Sequence, residues 1–381
     1  MEYRELGSSG KKVSLLSFGG MRIPRVTVGK AVEVIKKACH LGINYFETAP
    51  GYGNSEHKIG VALRDLDRSK VYLSTKSHPG QDQKPEQLRN RLESSLKKLE
   101  TDYVDFYQIW GLNTEEHYET VFKKGGTFEA VRKAQNEGLI KHIGFTSHGY
   151  PAFIQRLMET REFESLTMIY HLYHQRNKGL LDLADKLNMG VMIIAPLSNG
   201  FLAHPTPLME EDFAPYPVRD YALQWLANDK RITSIVSGMK TFKELQNNYD
   251  SLNNFLYFDK TKTDIENKAF AKLRDRVGKD FCTECRECLP CPQGINIPEL
   301  MRLNNLMRGY DAVYYCRDRY RFTGQGGSWY PGVKASHCDD CGDCEPRCPE
   351  KLPVVSIIRG LHQELYAGDR KSLATHQISE I

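Results

Sequence analysis

The chain has 381 residues, enough for one large and one small domain, and 40% hydrophobic with 26% charged side chains is ordinary for a globular protein. Its 52 basic and 48 acidic side chains leave a formal charge of +4, too small an excess to favour nucleic acid as a partner. No apolar run approaches the roughly 20 residues that span a bilayer, and the polar residues 1–7 are unlike a signal peptide. We therefore expect a cytoplasmic protein without membrane or nucleic-acid partners.

Eight short runs of β-type residues alternate with helical patterns between residues 15 and 240. In the helical segments apolar residues recur every three or four positions, as Leu88, Leu92 and Leu96 do. Eight such units in about 250 residues predict a (β/α)8 barrel. An open doubly wound sheet would need a Gly-rich phosphate turn after an early strand, which residues 18–22 do not provide. The predicted strands cover residues 15–18, 45–48, 71–76, 105–110, 142–147, 166–170, 191–195 and 232–236.

Polar side chains follow the second and third predicted strands. Glu47 lies near the end of the second strand, Tyr52 follows in a Pro/Gly turn, and Lys76 ends the third strand. Because the carboxyl ends of barrel strands share one mouth, we expect these side chains to meet there. A lysine beside a tyrosine lowers the pKa of the phenol, so Tyr52 is a candidate general acid and Glu47 would hold Lys76. A packed tyrosine beside a structural ion pair explains the same residues equally well.

Several ordered motifs resemble the aldo-keto reductase family over residues 1–260. They lie at residues 42–56, 74–76, 105–109, 141–145, 195–200 and 236–240. The resemblance implies carbonyl reduction with NADPH by an Asp-Tyr-Lys-His tetrad, in which Tyr52 matches the proton donor and Lys76 its activating partner. Two positions depart from that tetrad, because Glu47 replaces the Asp and Trp110 replaces the His. An indole donates one hydrogen bond but cannot accept one or titrate, so the group that would orient a ketone oxygen is lost.

The resemblance also implies an NADP(H) site, whereas no flavin-specific motif is visible. Lys240 falls where a cation would meet the adenosine 2′-phosphate, although a solvated loop lysine is the simpler alternative. Tyr170 is the nearest match to a glutamine that the family carries in strand six. The other matching positions are Thr146 and Ser147 at the nicotinamide amide, Leu197, Ser198 and Gly200 at the pyrophosphate, and Ser237, Gly238 and Asn248 near Lys240.

Nine of the ten cysteines lie between Cys282 and Cys348, so a disulfide scaffold is a poor explanation and metal or cluster ligation is favoured. Residues 338–349 read C-x2-C-x2-C-x3-C-P, the bacterial ferredoxin pattern in which the fourth thiolate binds the other cluster. Zinc ribbons instead use two cysteines from each knuckle. We predict two [4Fe–4S] clusters, one held by Cys282, Cys285, Cys288 and Cys348, the other by Cys338, Cys341, Cys344 and Cys291.

Six basic side chains against two acidic ones occupy residues 302–334. They could dock an acidic electron carrier such as ferredoxin or flavodoxin, or they could offset the negative charge of the clusters. The six are Arg302, Arg308, Arg317, Arg319, Arg321 and Lys334.

The predicted architecture has three parts: a barrel at 1–260, a helical connector at 261–281, and a mainly α-helical ferredoxin-like domain with a C-terminal helix at 282–381. This combination resembles the iron–sulfur subfamily of the aldo-keto reductases. The resemblance implies an oxidoreductase that acts on a small organic substrate with NADP(H), with electrons passed through the clusters, or with both. Because nicotinamide delivers electron pairs and a [4Fe–4S] cluster single electrons, two alternatives remain. One is a ferredoxin-fed one-electron reductase without nicotinamide; the other is a non-catalytic electron-transfer or redox-sensing protein.

Overall fold

The structure is a computed structural model that describes residues 1–253, 260–324 and 331–366. It divides into two compact units. The first comprises Met1–Pro205 and Phe213–Thr263, and the second comprises Thr206–Asp212 and the described part of Asp264–Ile381. The segments 254–259, 325–330 and 367–381 of the predicted domains lie outside the described residues.

The first unit contains a closed barrel of eight parallel strands, which confirms the predicted fold. A short antiparallel hairpin, β1 (Tyr3–Glu5) and β2 (Lys12–Ser14), precedes the barrel and was not predicted. In the barrel each strand pairs with the next one along the chain, and the last closes on the first. The barrel strands are β3 (Leu16–Gly19), β4 (Tyr45–Glu47), β5 (Tyr72–Ser77), β6 (Val104–Ile109), β7 (Ile140–Ser147), β8 (Ser165–Ile169), β9 (Gly190–Ile194) and β10 (Ser234–Gly238).

The barrel strands lack a clean polar–apolar alternation because both of their faces are covered. All six residues of β6 are buried, for example. The hairpin contributes to the same core, where Leu6 and Val13 pack with Tyr45, Phe106 and Met192. Tyr45 is the first residue of β4, so the hairpin covers the amino-terminal end of the barrel.

Amphipathic helices follow the strands and bury their apolar faces, as the spacing predicted. In the helix at Pro85–Leu99, Leu88, Leu92, Leu96 and Leu99 are all buried. The helices of this part of the chain are α1 (Val28–His40), α2 (Ser55–Leu63), α3 (Pro85–Leu99), α4 (Glu115–Phe122), α5 (Thr127–Asn136), α6 (Pro151–Glu159), α7 (Lys178–Lys186), α8 (Pro207–Phe213), α9 (Val218–Asn228) and α10 (Phe242–Asn253).

The rest of the chain is mainly helical. It contains α11 (Lys260–Val277), α12 (Ile297–Tyr310), α13 (Val313–Phe322) and α14 (Val354–Leu365). Helix α12 is buried along nearly its whole length, so it forms the centre of the second unit. The buried Asp212 of α8 forms ion pairs with Arg276 and Lys272 of α11. Among the described residues, no helix combines the length and the apolar character needed to cross a bilayer.

Candidate active site and cysteine cavities

The carboxyl ends of β4 and β5 bring Glu47, Tyr52 and Lys76 together. The Lys76 ammonium forms an ion pair with the Glu47 carboxylate and donates to the Thr48 carbonyl at 2.8 Å. It also lies 3.4 Å from the Tyr52 hydroxyl, which donates to Glu47 Oε1 at 3.3 Å. Glu47 and Lys76 are only 5% and 1% exposed. The phenol oxygen is therefore held between a buried cation and a buried anion.

Hydrogen bonds on both sides of the turn hold Tyr52 in this position. The Thr48 hydroxyl donates to the Ser55 hydroxyl at 2.8 Å, which ties the end of β4 to the start of α2. The Thr75 hydroxyl of β5 donates to the fully buried Glu56 carboxylate at 2.8 Å. The loop that carries the phenol is thus anchored to two strands.

The protonation expected for Tyr52 needs a correction. The sequence led us to expect that Lys76 would lower the pKa of the phenol, but burial raises that pKa above its ordinary value of 10. Burial also lowers the pKa of Lys76 well below its ordinary value. The physical reason is that removal of the phenol from water disfavours the charged phenolate, and this effect outweighs the neighbouring Lys76. Tyr52 is consequently a protonated phenol at neutral pH.

Trp110 follows β6 and forms a wall beside the phenol. Its ring meets Tyr52 edge to face, with centroids 5.6 Å apart, and meets His78 in the same way at 5.6 Å. A Cβ atom on Gly51 would lie 2.8 Å from the indole, so the ring fits only because that residue is a glycine. His78 in turn packs against His117, with centroids 5.2 Å apart. Burial, together with the nearby His117, lowers the pKa of His78.

The residues matched to a nicotinamide site lie at the same mouth but have local partners. The Thr146 hydroxyl accepts from the Gly111 amide at 2.9 Å, and the Ser147 hydroxyl contacts Asn113 Oδ1 at 3.2 Å. Tyr170 is buried and stacks on Trp225 of α9, with centroids 5.2 Å apart. These contacts hold the loop after β6 against the end of β7, and the residue that follows β8 against α9.

The residues matched to the phosphate end of the cofactor lie on the loops after β9 and β10. Leu197 and Ser198 are buried, while Gly200 has a φ of +105° that favours glycine. Asn248 of α10 donates to the Ser237 hydroxyl at 3.0 Å, which links the helix to the end of β10. Gly238 follows Ser237 at the very end of β10.

Lys240 and Thr241 immediately precede helix α10. The backbone amides of Lys240 and Thr241 donate to the Glu244 carboxylate at 2.6 and 3.3 Å. The Glu244 amide donates back to the Thr241 hydroxyl at 3.1 Å, which completes a capping box. An acidic side chain therefore lies where the sequence match would put the 2′-phosphate.

The eight predicted cluster ligands line two cavities in the second unit, in the two sets that the ferredoxin pattern indicated. One cavity is lined by Cys282, Cys285, Cys288 and Cys348. The second cavity is lined by Cys291, Cys338, Cys341 and Cys344. Cys291, which follows Cys288 in the chain, therefore lies in the cavity of Cys338, Cys341 and Cys344, and Cys348 lies in the cavity of Cys282, Cys285 and Cys288. Ile297 borders both cavities.

Asn305 holds the backbone of Cys282, and burial makes three of the thiols hard to ionise. Asn305 donates to the Cys282 carbonyl at 2.8 Å and accepts from its amide at 3.1 Å. Burial raises the pKa of Cys282 and of Cys288 to about 12, and that of Cys344 to about 11. Because metal ligands must be thiolates, cluster binding would have to displace these protons.

Most of the basic side chains at 302–334 are paired within the second unit. Arg302 and Glu299 form a buried ion pair, Arg308 pairs with Glu364, and Asp318 pairs with both Arg319 and Arg321. Lys334 lies 5.9 Å from the centroid of the Tyr366 ring. This internal pairing weakens the case for a basic docking surface.

Comparison with known proteins identifies the family to which the barrel belongs. Residues 15–211 match the model of the aldo/keto reductase family, which is more than half of the chain. The chain belongs to the aldo/keto reductase family. Residues 281–352 match the model of a 4Fe-4S dicluster domain. The chain is therefore an aldo/keto reductase-type oxidoreductase with an iron–sulfur domain after the barrel.

Relatives of this aldo/keto reductase match the barrel rather than the whole chain. An uncharacterized oxidoreductase of Bacillus subtilis, YqkF, is 25% identical over 66% of this chain and 92% of its own length. The holo form of an aldo-keto reductase from Bacillus halodurans superposes with a TM-score of 0.62 at 24% identity, covering 71% of this chain and 96% of that one. An aldo/keto reductase from Klebsiella pneumoniae in complex with NADP and acetate gives a TM-score of 0.59 at 20% identity, covering 70% and 95%.

Sequence reasoning missed part of this aldo/keto reductase's mouth. His78 is the first residue after β5 and Gly51 follows the second barrel strand, and both contact Trp110. A search for polar residues just beyond each strand end would have found His78, because such residues face the mouth of a barrel. Nothing in the sequence identifies Gly51, since its role depends on where the indole lies.

Proposed function

We propose that this chain is a cytoplasmic oxidoreductase of the aldo-keto reductase type that uses NADP(H) on a small organic substrate and holds two [4Fe–4S] clusters. The observation that carries the proposal is the Tyr52 hydroxyl, 3.3 Å from the Glu47 carboxylate and 3.4 Å from the Lys76 ammonium. This arrangement stands at the mouth of a barrel whose chain also has two four-cysteine cavities.

The cavities fit cubane clusters better than single zinc ions. Each cavity is lined by four thiols and otherwise mainly by apolar side chains, as at Ile297, Met301 and Val355. Within residues 1–253, 260–324 and 331–366, no three His, Cys, Asp or Glu side chains are grouped as a single metal ion requires. Four thiols spread around a cavity are the donor set that a [4Fe–4S] cluster uses.

The loops after β9 and β10 support the proposal that a dinucleotide binds at the barrel mouth. In barrels of this type phosphates bind beside the loops that follow the seventh and eighth strands. Here Ser198 lies on the loop after β9, and Ser237 lies near the end of β10, where Asn248 donates to its hydroxyl. The Klebsiella relative was solved with NADP, and we extend that cofactor to this chain as part of the proposal.

When bound, NADPH supplies a hydride and the clusters pass single electrons. Side chains of the protein would donate the proton. Tyr52 keeps its hydroxyl protonated at neutral pH and presents it at the mouth. As the phenol gives up its proton, the Lys76 ammonium 3.4 Å away stabilises the phenolate, and Glu47 fixes the position of Lys76.

Replacement of the phenol tests this proposal. Tyr52→Phe removes only the hydroxyl, so the ring contact with Trp110 stays and the fold should be unchanged. We expect kcat to fall by roughly 10²- to 10⁴-fold, the usual contribution of a positioned acid, with NADPH binding retained. Tyr118→Phe on α4 is the matched control and should keep wild-type turnover. Equal turnover in Tyr52→Phe and wild type would contradict the proposed role.

A second candidate is a one-electron reductase that receives electrons from ferredoxin or flavodoxin and has no nicotinamide step. Two observations favour it. Trp110 stands where the family has a titratable histidine. The Glu244 carboxylate accepts hydrogen bonds from the backbone amides of Lys240 and Thr241. Anaerobic addition of NADPH and of dithionite to separate samples distinguishes the two. Cluster absorbance that dithionite bleaches, together with no NADPH binding, favours the ferredoxin-fed enzyme.

A further inference from the structure

Arg22 lies beside the loops at which barrels of this type bind phosphates. It belongs to the short 3-10 segment Gly20–Arg25, which follows the first barrel strand, β3. Strand β10 pairs with β3 on one side and with β9 on the other. The loops after these three strands are therefore neighbours at the mouth, and Arg22 comes from the one that sequence matching left unassigned.

Its guanidinium is attached to the loop after β9. Arg22 Nη2 donates to the Asn199 carbonyl at 2.9 Å. The same nitrogen lies 3.8 Å from where a Cβ on Gly200 would stand. Ser198 and Asn199 both have left-handed backbone, with φ of +50° and +59°, so this loop is tightly turned where the arginine meets it.

The aliphatic part of the side chain lies on the end of β10. A Cβ atom on Gly238 would stand 3.1 Å from Arg22 Cγ and 3.2 Å from Cδ. A larger residue at 238 would therefore displace the arginine. The contact with Gly238 and the bond to Asn199 together fix the guanidinium between the two loops at which barrels of this type bind phosphates.

We propose that Arg22 binds the diphosphate of a dinucleotide and joins the loops after β9 and β10 around it. A guanidinium is always charged and presents a planar fork of donors that suits phosphate oxygens. The sequence match assigns Lys240 to the adenosine 2′-phosphate, so the two residues would recognise different phosphates. The assignment of Arg22 rests on the proposed use of NADP(H).

The test is a fluorescence titration of the iron-loaded protein with NADPH, and a competition with adenosine 2′-monophosphate, which has no diphosphate. We expect Arg22→Gln to weaken NADPH binding by about tenfold to a hundredfold, the value of a hydrogen bond to a charged group. Adenosine 2′-monophosphate should bind the variant as well as it binds wild type. Arg22→Lys keeps the charge but loses the fork, so we expect an intermediate loss.

Arg25→Gln is the matched control, since Arg25 is exposed on the same segment, and it should bind NADPH like wild type. Wild-type affinity for NADPH in Arg22→Gln would overturn the assignment while leaving the proposed function intact. Equal weakening of NADPH and of adenosine 2′-monophosphate would also overturn it, because it would indicate a disturbed fold. Failure of the wild-type protein to bind NADPH would instead contradict the nicotinamide step itself.

Discussion

The barrel mouth and the cysteine cavities differ in how their polar groups are paired. At the mouth, the buried charges of Glu47 and Lys76 satisfy each other, and the Tyr52 hydroxyl lies between them. In the second unit, four thiols line each cavity, and burial keeps Cys282 and Cys288 protonated at neutral pH. The charges of the first site are thus paired within the chain, whereas the thiols of the second are the donor set of an iron–sulfur cluster.

This difference has separate consequences for catalysis and for stability. A mouth whose charges are internally paired should keep its shape whether or not a cofactor is bound. Cavities that bind a cluster through deprotonated thiols couple the folding of the second unit to metal binding. The comparison predicts that changes at the mouth alter turnover, and that changes at the cavities alter iron content and folding.

Loss of a cavity thiol should have the largest effect. Cys344→Ala removes one ligand of the second cavity, and we expect about half of the iron to be lost, since each cluster needs four thiolates. Cys316→Ala is the matched control. Cys316 is also fully buried, but it points to the Leu303 carbonyl, 3.2 Å from its sulfur, and should be dispensable for iron. Iron analysis of both variants checks the pair, and equal iron loss would contradict the assignment of ligands.

Removal of the cation at the mouth should have the next largest effect. Lys76→Met leaves Glu47 buried without its partner, so we expect a loss of about 3–5 kcal/mol in the free energy of unfolding. Turnover should fall by roughly 10²- to 10⁴-fold. The double variant Glu47→Gln with Lys76→Met should regain much of the stability but none of the turnover. Recovery of turnover in the double variant would show that Lys76 has only a structural role.

Restoration of the family's histidine should have a moderate effect. Trp110→His supplies a ring that accepts hydrogen bonds and titrates beside Tyr52, so we expect about tenfold faster NADPH-dependent reduction of simple aldehydes. Trp110→Phe keeps an aromatic edge against Tyr52 without a hydrogen-bonding nitrogen and should show no such gain. A gain of the same size in both variants would mean that space rather than proton chemistry limits the reaction.

The smallest effect should come from an ion pair of the second unit that involves none of the thiols. Burial alone would raise the pKa of Asp212, but Arg276 and Lys272 outweigh it and hold that pKa below the ordinary 3.8. Asp212→Asn should therefore lower the free energy of unfolding by about 1–3 kcal/mol at pH 7.

The pH dependence of this difference follows from the sign of the shift. A depressed folded-state pKa stabilises fully above the unfolded value of about 4, and the stabilisation is lost as the pH falls below it. The difference between wild type and Asp212→Asn should thus be unchanged from pH 7 to pH 5 and shrink by pH 3.5 in denaturant unfolding. The exposed Glu210→Gln, also on α8, serves as the control. A difference that grows at low pH would contradict the account.

The sequence was sufficient to predict the barrel strands and the set of cysteines around each cavity. Barrel strands carry continuous apolar runs, so all eight were found within about two residues, whereas the three-residue strands of the hairpin are too short to show a period. The spacing of the cysteines predicted even the exchange of Cys291 and Cys348 between cavities, because cluster geometry restricts that spacing.

Quantities that depend on three-dimensional surroundings could not be predicted. The pKa of Tyr52 is set by burial, which is not visible in the linear chain. The positions of Arg22 and Trp110 depend on the glycines at 238 and 51, which make room for them.

The most direct test of the central claim is an anaerobic titration of the iron-loaded protein with NADPH, followed by visible absorbance and cofactor fluorescence. The account predicts broad iron–sulfur absorbance before any addition and a saturable fluorescence change that reports NADPH binding at the barrel. A colourless protein with no bound iron, or a coloured protein that does not bind NADPH, would contradict the claim that one chain combines a nicotinamide-dependent mouth with two clusters.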